Sequence, residues 1–511
     1  MIKLSGPSLV KVDHDDPRYE FLAKTHPRIA QKDANTWGAA ASAEAAERLN
    51  WVDLDETSRP LLPQLDALTA KFRDKTELVL CGMGGSSLAP EVIAQTFSKK
   101  VFILDSTDPD YIARAIPQDL SKLLVLVASK SGSTIETSSQ RAFFQDLLSK
   151  SGFNPTEHMV IVTDPGSPLD ISARADGYSV INADPKVGGR FSALTAFGLT
   201  PTALMGVDAS ILLDQAGDCR NQITDSPEVV LDVAYLLLTQ SEQFLGFSDS
   251  GSIYTGLSDW IEQLIAESTG KNERGRLPIV TENFSAAKSG GAFSVGFSTG
   301  ADLTVEAELG EHFLFWEWVT ALIGAVLEID PFNQPNVTEA KEATSQILAE
   351  WKNVLPPITA DGEDESVEIF GHGNTLVAAL KNLIANTDSD GYISVMAYLD
   401  RIGDSRITEI RSILSEKSAR PVSFGWGPRF LHSTGQFHKG GQQNGSFLQI
   451  TGDCKTNFKV PMREFDFQTL LMAQALGDAR ALNKRKYPLL RLHLQDRSAG
   501  IDQLLKAAKA L

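Results

Sequence analysis

From residue 76 the chain alternates short apolar, β-rich runs with stretches of helical periodicity: "TELVLCGMGG" then "LAPEVIAQTF", "VFILDST", "LLVLVASKSGS" then "IETSSQRAFFQDLLSK", and "HMVIVTD". A run that is apolar at every position has no solvent face, so its sheet must be covered on both sides, and helices placed between such runs supply the cover. The pattern predicts a doubly wound, parallel α/β sheet. Two runs end alike: "LVLCGMGGSS" and "LVLVASKSGST" each read as strand, small-residue turn and helix. In one parallel sheet both turns open at the carboxyl edge, where open α/β sheets bind ligands.

At 511 residues the chain exceeds what one core can hold. Residues 225–355 read as mostly helical with a few strands. Their greasiest part, "HFLFWEWVTALIGAVLEID", carries Glu317 in its middle and is short for a membrane span, so it is expected to be a buried helix. "LPPITADGEDESVEIFGHG" combines prolines with an acidic cluster and reads as a linker. Beyond it, "TLVAALKNLIAN", "GYISVMAYLD", "ITEIRSILSEKS" and "PVSFGWG" alternate helix and strand again, predicting a third α/β unit. The expected division is 1–215, 216–358 and 372–511.

A formal net charge of -18 opposes broad attraction to nucleic acid or to an anionic membrane. An anionic ligand must instead be met by local donors. The N-terminus "MIKLSGPSLVKVDHDDP" fails as a secretory signal, and Cys81, Cys219 and Cys454 form neither a disulfide framework nor a zinc pattern, so a cytoplasmic location is expected.

The two turns offer local donors. A helix N-terminus presents unpaired N–H groups and the positive end of a dipole, so small residues there let a phosphate come close. Ser86, Ser129, Ser131, Ser133 and Thr134 add hydroxyls, and Lys130 adds a charge. Serine and threonine also serve simply as helix caps, which is the plainer reading of any one of them. "GMGGSS", with Asp105 about 20 residues on, also resembles a dinucleotide fingerprint, but Ser87 stands where the third glycine belongs. A dinucleotide oxidoreductase therefore stays a minor alternative. After the strand "GYSVINAD", "KVGGRFS" puts the Arg190 guanidinium behind two glycines, where it meets either an oxyanion or an ordinary ion-pair partner.

"GMGGSSLAP", "SKSGSTIET" and "VGGRFSALTAFGL", followed by "AESTGKNERG" and "DPFNQPNVTEAK", resemble in that order the glucose-6-phosphate isomerase (phosphoglucose isomerase) family, whose members pair two sugar-isomerase domains. The C-terminal "GWGPRFLHSTGQFHKGG" resembles the isomerase portion of transaldolase and phosphoglucose isomerase fusion proteins. The resemblance implies two sugar-isomerase domains with an added C-terminal α/β segment. It implies an aldose-ketose isomerase for glucose 6-phosphate and fructose 6-phosphate, without cofactor, acting on a small sugar phosphate as a possible homodimer. It implies phosphate binding by Ser86, Ser129, Lys130, Ser131 and Thr134, with Glu267 as the base, Arg190 beside the reacting carbons, and Gln334 and Lys341 completing the site. Unaided, Glu267 in "LSDWIEQLIAES" reads as a surface residue in the last turn of an amphipathic helix, and Gln334 and Lys341 as a turn and a helix face.

Such a reaction opens the sugar ring and moves a proton between C2 and C1 through an enediol, for which one carboxylate suffices as base. A fixed cation such as Arg190 would stabilise charge on the carbonyl oxygen. Many members of the family carry a ring-opening histidine downstream of the glutamate, but "LPIVTENFSAAKSGGAFSVGFSTG" has none, and His312 reads as a cap or interface residue. His432 and His438 in "HSTGQFHKGG" are expected to supply the substitute, with the two not distinguished. Their spacing matches no usual metal-ligand pattern. An isomerase for another hexose 6-phosphate such as mannose 6-phosphate, and a non-catalytic sugar-phosphate-binding protein, remain alternatives.

Overall fold

The computed structural model describes residues 1–511 apart from 241, 242 and 353. The alternating runs form a five-stranded parallel sheet in the order Phe102–Leu104, Glu77–Gly82, Leu123–Ala128, Met159–Thr163 and Ser179–Asn182. Leu123–Ala128 and Met159–Thr163 are buried throughout, as unbroken apolar runs require. The strand order reverses between Glu77–Gly82 and Leu123–Ala128, so their following turns flank the topological switch point, the crevice where this class of sheet takes its ligands.

A second sheet orders Lys3–Ser5, Leu303–Glu306, Phe293–Gly296, Phe244–Ser248 and Leu277–Val280, parallel except for the first strand. Residues 1–215, grouped together by sequence, therefore contribute to two sheets. Lys3–Ser5 extends the second one, and the Pro17–Ala30 helix packs on the Glu228–Thr239 and Leu309–Val326 helices of that unit. The Leu309–Val326 helix is buried from Leu309 to Ala325, which explains its apolar face all round. Among the described residues no helix is long and apolar enough to cross a membrane.

The third sheet runs Gly362–Asp364, Val367–Phe370, Leu489–Leu494, Gly445–Gly452, Tyr392–Ala397 and Val422–Trp426, with the last four parallel. The segment expected as a linker thus supplies an antiparallel edge hairpin. Val367 and Ile369 turn inward while Glu363 and Glu368 pair across the outer face, a period-two pattern that the acidic composition masks. This third unit is packed directly on both others. Phe465, Phe467 and Leu470 share a core with Phe143 and Phe144 of the first, and Phe430 and Phe437 share one with Phe244 and Ile279 of the second.

Candidate active site

At the switch point, the turn after Glu77–Gly82 and the turn after Leu123–Ala128 face one cavity of about 390 Å³, lined by Ser86, Ser129, Lys130, Ser131 and Thr134. Neither helix that follows, Leu88–Thr96 nor Ile135–Lys150, has its first turn capped by a side chain. The hydroxyls are therefore engaged elsewhere. Ser87 Oγ donates to the Gly84 carbonyl at 3.1 Å, Ser129 Oγ accepts from the Gly132 amide at 3.2 Å, and the Ser131 and Ser133 hydroxyls pair at 2.7 Å. The plainer capping role thus gives way to a cradle of small side chains and uncapped amides. Lys130 Nζ lies 2.6 Å from Asp164 Oδ2.

The glycines bring the walls together. A Cβ on Gly85 would fall 1.9 Å from the carbonyl oxygen of Gly189, so only glycine lets the first turn touch the "GGRF" turn. That contact places Arg190 at the cavity. Its side chain, 3% exposed, donates from Nε to Ser268 Oγ at 2.8 Å and from Nη2 to the carbonyls of Pro331 and Asn333 at 2.6 and 2.9 Å. Nη1 donates to Gln334 Oε1 at 3.1 Å and lies 3.2 Å from Glu267 Oε1. Burial pulls the guanidinium below its ordinary range against the attraction of Glu267 and Asp330, in that order.

Glu267, Gln334, Lys341 and His432 line the same cavity. Glu267 sits in the last turn of the Leu257–Thr269 helix and is buried rather than solvated. Gln263, one turn earlier, donates Nε2 to Glu267 Oε2 at 3.0 Å and to the His432 carbonyl at 2.8 Å. The polar stripe that reads as a solvent face is thus the wall of a site. Lys341 lies exposed at the rim, on the Val337–Glu350 helix, and Gln334 is exposed in the turn before it.

The structure separates the two histidines. His432 Nε2 meets Glu136 Oε1 at 2.9 Å. Burial raises the Glu136 carboxyl, but His432 and Lys341 outweigh it and leave Glu136 below the ordinary carboxylate range. Gln474 Nε2 donates to the same oxygen at 2.7 Å, and Thr107 Oγ1 donates to Gln474 Oε1 at 2.6 Å. His438, expected as an equal candidate, lies outside the cavity. Its Nδ1 meets Tyr392 OH at 2.8 Å and its Nε2 meets Ser394 Oγ at 3.2 Å, among Phe430 and Phe447. Burial lowers it to about 3, so it stays neutral. It is a core residue. His312 is likewise buried, between Tyr254 and Phe297.

Sequence reasoning missed Glu136, Gln263, Asp164 and the rim pair Glu44 and Arg48. Glu136 had a legible signal: it follows the hydroxyl turn by two residues, so it must open at the same sheet edge.

Residues 66–230 match the family model described as phosphoglucose isomerase. Over 217 residues the chain is 34% identical to the glucose-6-phosphate isomerase of Desulfitobacterium hafniense, covering 38% of this chain and 40% of that protein. It is 32% identical over 248 residues to that of Thermus thermophilus, covering 46% and 59%. The chain thus spans roughly half the length of the curated relatives it matches. The structure of a glucose-6-phosphate isomerase from Chlamydia trachomatis superposes with a TM-score of 0.54 at 18% identity, over 69% of this chain and 89% of that one, and shows the shared α/β sugar-isomerase fold.

Proposed function

We propose that this chain interconverts glucose 6-phosphate and fructose 6-phosphate by proton transfer through an enediol, with the C-terminal segment acting like the isomerase portion of the fusion proteins it resembles. One observation carries the reading: Glu267 and Arg190 meet at 3.2 Å in the cavity that the double hydroxyl turn also lines. The phosphate lies several bonds from the reacting carbons, so a cradle at one end and a carboxylate at the other is the arrangement this chemistry needs. In this mechanism Ser86, Ser129, Lys130, Ser131 and Thr134 hold the phosphate and fix the sugar's direction. Glu267 takes the proton from C2 and returns it to C1. Arg190 meets the oxygen on which charge builds, and its other donors are already spent on Ser268, Pro331 and Asn333, so it need not reorganise during the step.

Ring opening falls to His432 and Lys341. Glu136 orients the imidazole through Nε2, which leaves Nδ1 to exchange a proton with the ring oxygen. His432 comes from the same chain as Glu267, so the cavity gains its histidine without a second copy. The test is a coupled assay of fructose 6-phosphate conversion with His432→Gln and His438→Gln, on the cyclic hexose phosphate and on an open-chain sugar phosphate. The first variant is expected to lose about 100-fold on the cyclic substrate and far less on the open-chain one. The second is expected to lose stability with kcat retained. Equal losses of the His432 variant on both substrates would refute its role, and a wild-type chain that binds sugar phosphate without turnover would refute the reaction.

A further inference from the structure

Glu44 and Arg48 line the cavity rim, yet the chemistry above makes no use of them. They come from the short Ser42–Ala46 helix and the turn after it. Arg48 Nε donates to Glu44 Oε1 at 2.8 Å, and Nη1 donates to the Pro185 carbonyl at 3.0 Å. Lys130 Nζ donates to that same carbonyl at 3.2 Å. The two cations therefore converge on one oxygen beside the hydroxyl turn. Arg48 Nη2 has no hydrogen-bond partner among the described residues.

The rim pair is felt by two other residues that line the cavity. The Asp164 carboxyl, raised by burial, is drawn back first by Lys130 and then by Arg48. Arg190, lowered by burial, feels Glu44 after Glu267 and Asp330.

Charge balance gives this placement a use. A phosphate monoester carries a charge of about -1.5 to -2 at neutral pH. Hydroxyls and amides bring no net charge to it, and Lys130 is already matched by Asp164. A protein of net charge -18 supplies no attractive field of its own. A planar guanidinium with free N–H groups is the side chain best suited to complete the balance.

We propose that Arg48 is a second cation for the substrate's phosphate, and that the Glu44 carboxylate competes with the phosphate for it. The inference rests on the sugar-phosphate reading of the cavity but not on turnover. It makes two neighbouring residues act with opposite sign: Arg48 strengthens anion binding, and Glu44 weakens it by occupying Arg48.

The experiment is calorimetric titration of the full chain with inorganic phosphate, alongside KM for fructose 6-phosphate, for Arg48→Gln, Glu44→Gln, the double variant and Arg48→Lys. Arg48→Gln should weaken phosphate binding about tenfold, the loss of one charge-assisted contact, and raise KM by more than it lowers kcat. Glu44→Gln should tighten binding about threefold, a gain that vanishes in the double variant because there is no arginine left to release. Arg48→Lys should recover part of the loss. If both single variants shift binding the same way, or Arg48→Gln leaves it unchanged, the pair merely braces the N-terminal segment and the proposal fails. A wild-type chain that does not bind phosphate overturns it too. Phosphate binding without isomerisation instead counts against the proposed reaction while leaving this inference intact.

Discussion

Arg190→Lys isolates what a fixed guanidinium contributes, because it keeps a basic group and removes the fork. In the structure the fork serves Ser268, Gln334 and the carbonyls of Pro331 and Asn333 while facing Glu267. An ammonium offers three N–H groups from one point and cannot span acceptors spread around the edge of the guanidinium. At least two of these contacts should be lost. At about 1.5–3 kcal/mol for each hydrogen bond to a charged group, the expected loss of stability from two is ~3–6 kcal/mol.

Charge is the second loss. Lys271 reports what this environment does to an ammonium: burial first, then Arg190 beside it, pull it well below the usual lysine range. A lysine at 190 should be lowered by the same burial, which favours its neutral form increasingly as pH rises. Removal of one such donor from a reaction site typically costs 10²- to 10³-fold in kcat. The assays are urea unfolding and a kcat profile from about pH 6 to about pH 9, a window above the ordinary carboxylate range. The variant should unfold at lower urea, lose about 100-fold or more in kcat, and recover some activity as pH falls, since a lowered lysine is charged only below its pKa. A variant with wild-type unfolding and more than about a third of wild-type kcat would refute the reasoning, because it would mean that neither the fork nor the permanent charge is needed.

Two further outcomes follow from packing and burial. Gly85→Ala drives a carbon to 1.9 Å from the Gly189 carbonyl oxygen, backbone against backbone, so it should cost ~3 kcal/mol in unfolding experiments and abolish measurable turnover. Gly188→Ala, whose added carbon meets Phe191 Cδ2 at 3.8 Å, should unfold with the wild type. Glu317 is fully buried with both carboxyl oxygens lacking a partner among the described residues, and burial pushes it well above the ordinary range. The folded chain therefore keeps a proton that the unfolded chain releases, so this residue's contribution to stability falls as pH rises above the unfolded carboxylate value. Glu317→Gln should be more stable than wild type near neutral pH, with the gain shrinking towards acid, as read from urea midpoints at about pH 5 and about pH 8. A gain independent of pH would rule out the protonation argument.

The first sheet and its two turns were legible because their signal is local. A strand buried on both faces must be apolar at every position, and a cradle at its end must be small and polar. Glu267 was illegible for the complementary reason. Asp259, Glu262, Gln263 and Glu267 form a regular polar stripe, and a stripe normally means water. Here Gln263 is tied to His432 and Glu267 to Arg190, so the stripe is satisfied by residues remote in sequence. Periodicity reports that a face is polar, not what meets it. The edge hairpin was hidden differently: the acidic residues of 361–368 suggested a linker, although "VEIF" already carried the alternation of a half-buried strand.

The choice between His432 and His438 shows where local reading ends. Both lie in one glycine-rich segment and share the chemistry of imidazole. They part because the Arg429–His432 turn is anchored elsewhere, with Arg429 Nη1 lying 2.9 Å from Glu91 Oε2 and 3.4 Å from Asp105 Oδ2, while Arg401 grips Glu91 from the other side. Beyond that anchor the Gly435–Gly440 helix runs under Gly270, where an added Cβ would fall 2.4 Å from Phe437 Cα, and carries His438 away to the Tyr392–Ala397 strand. The placement of His432 at the cavity is thus set by acids far upstream of the histidine in the chain. If this docking sets the imidazole, Arg429→Gln should impair the cyclic substrate more than the open-chain one, as His432→Gln does, although residue 429 lies outside the cavity lining. Equal impairment of both substrates would show that the anchor serves folding alone.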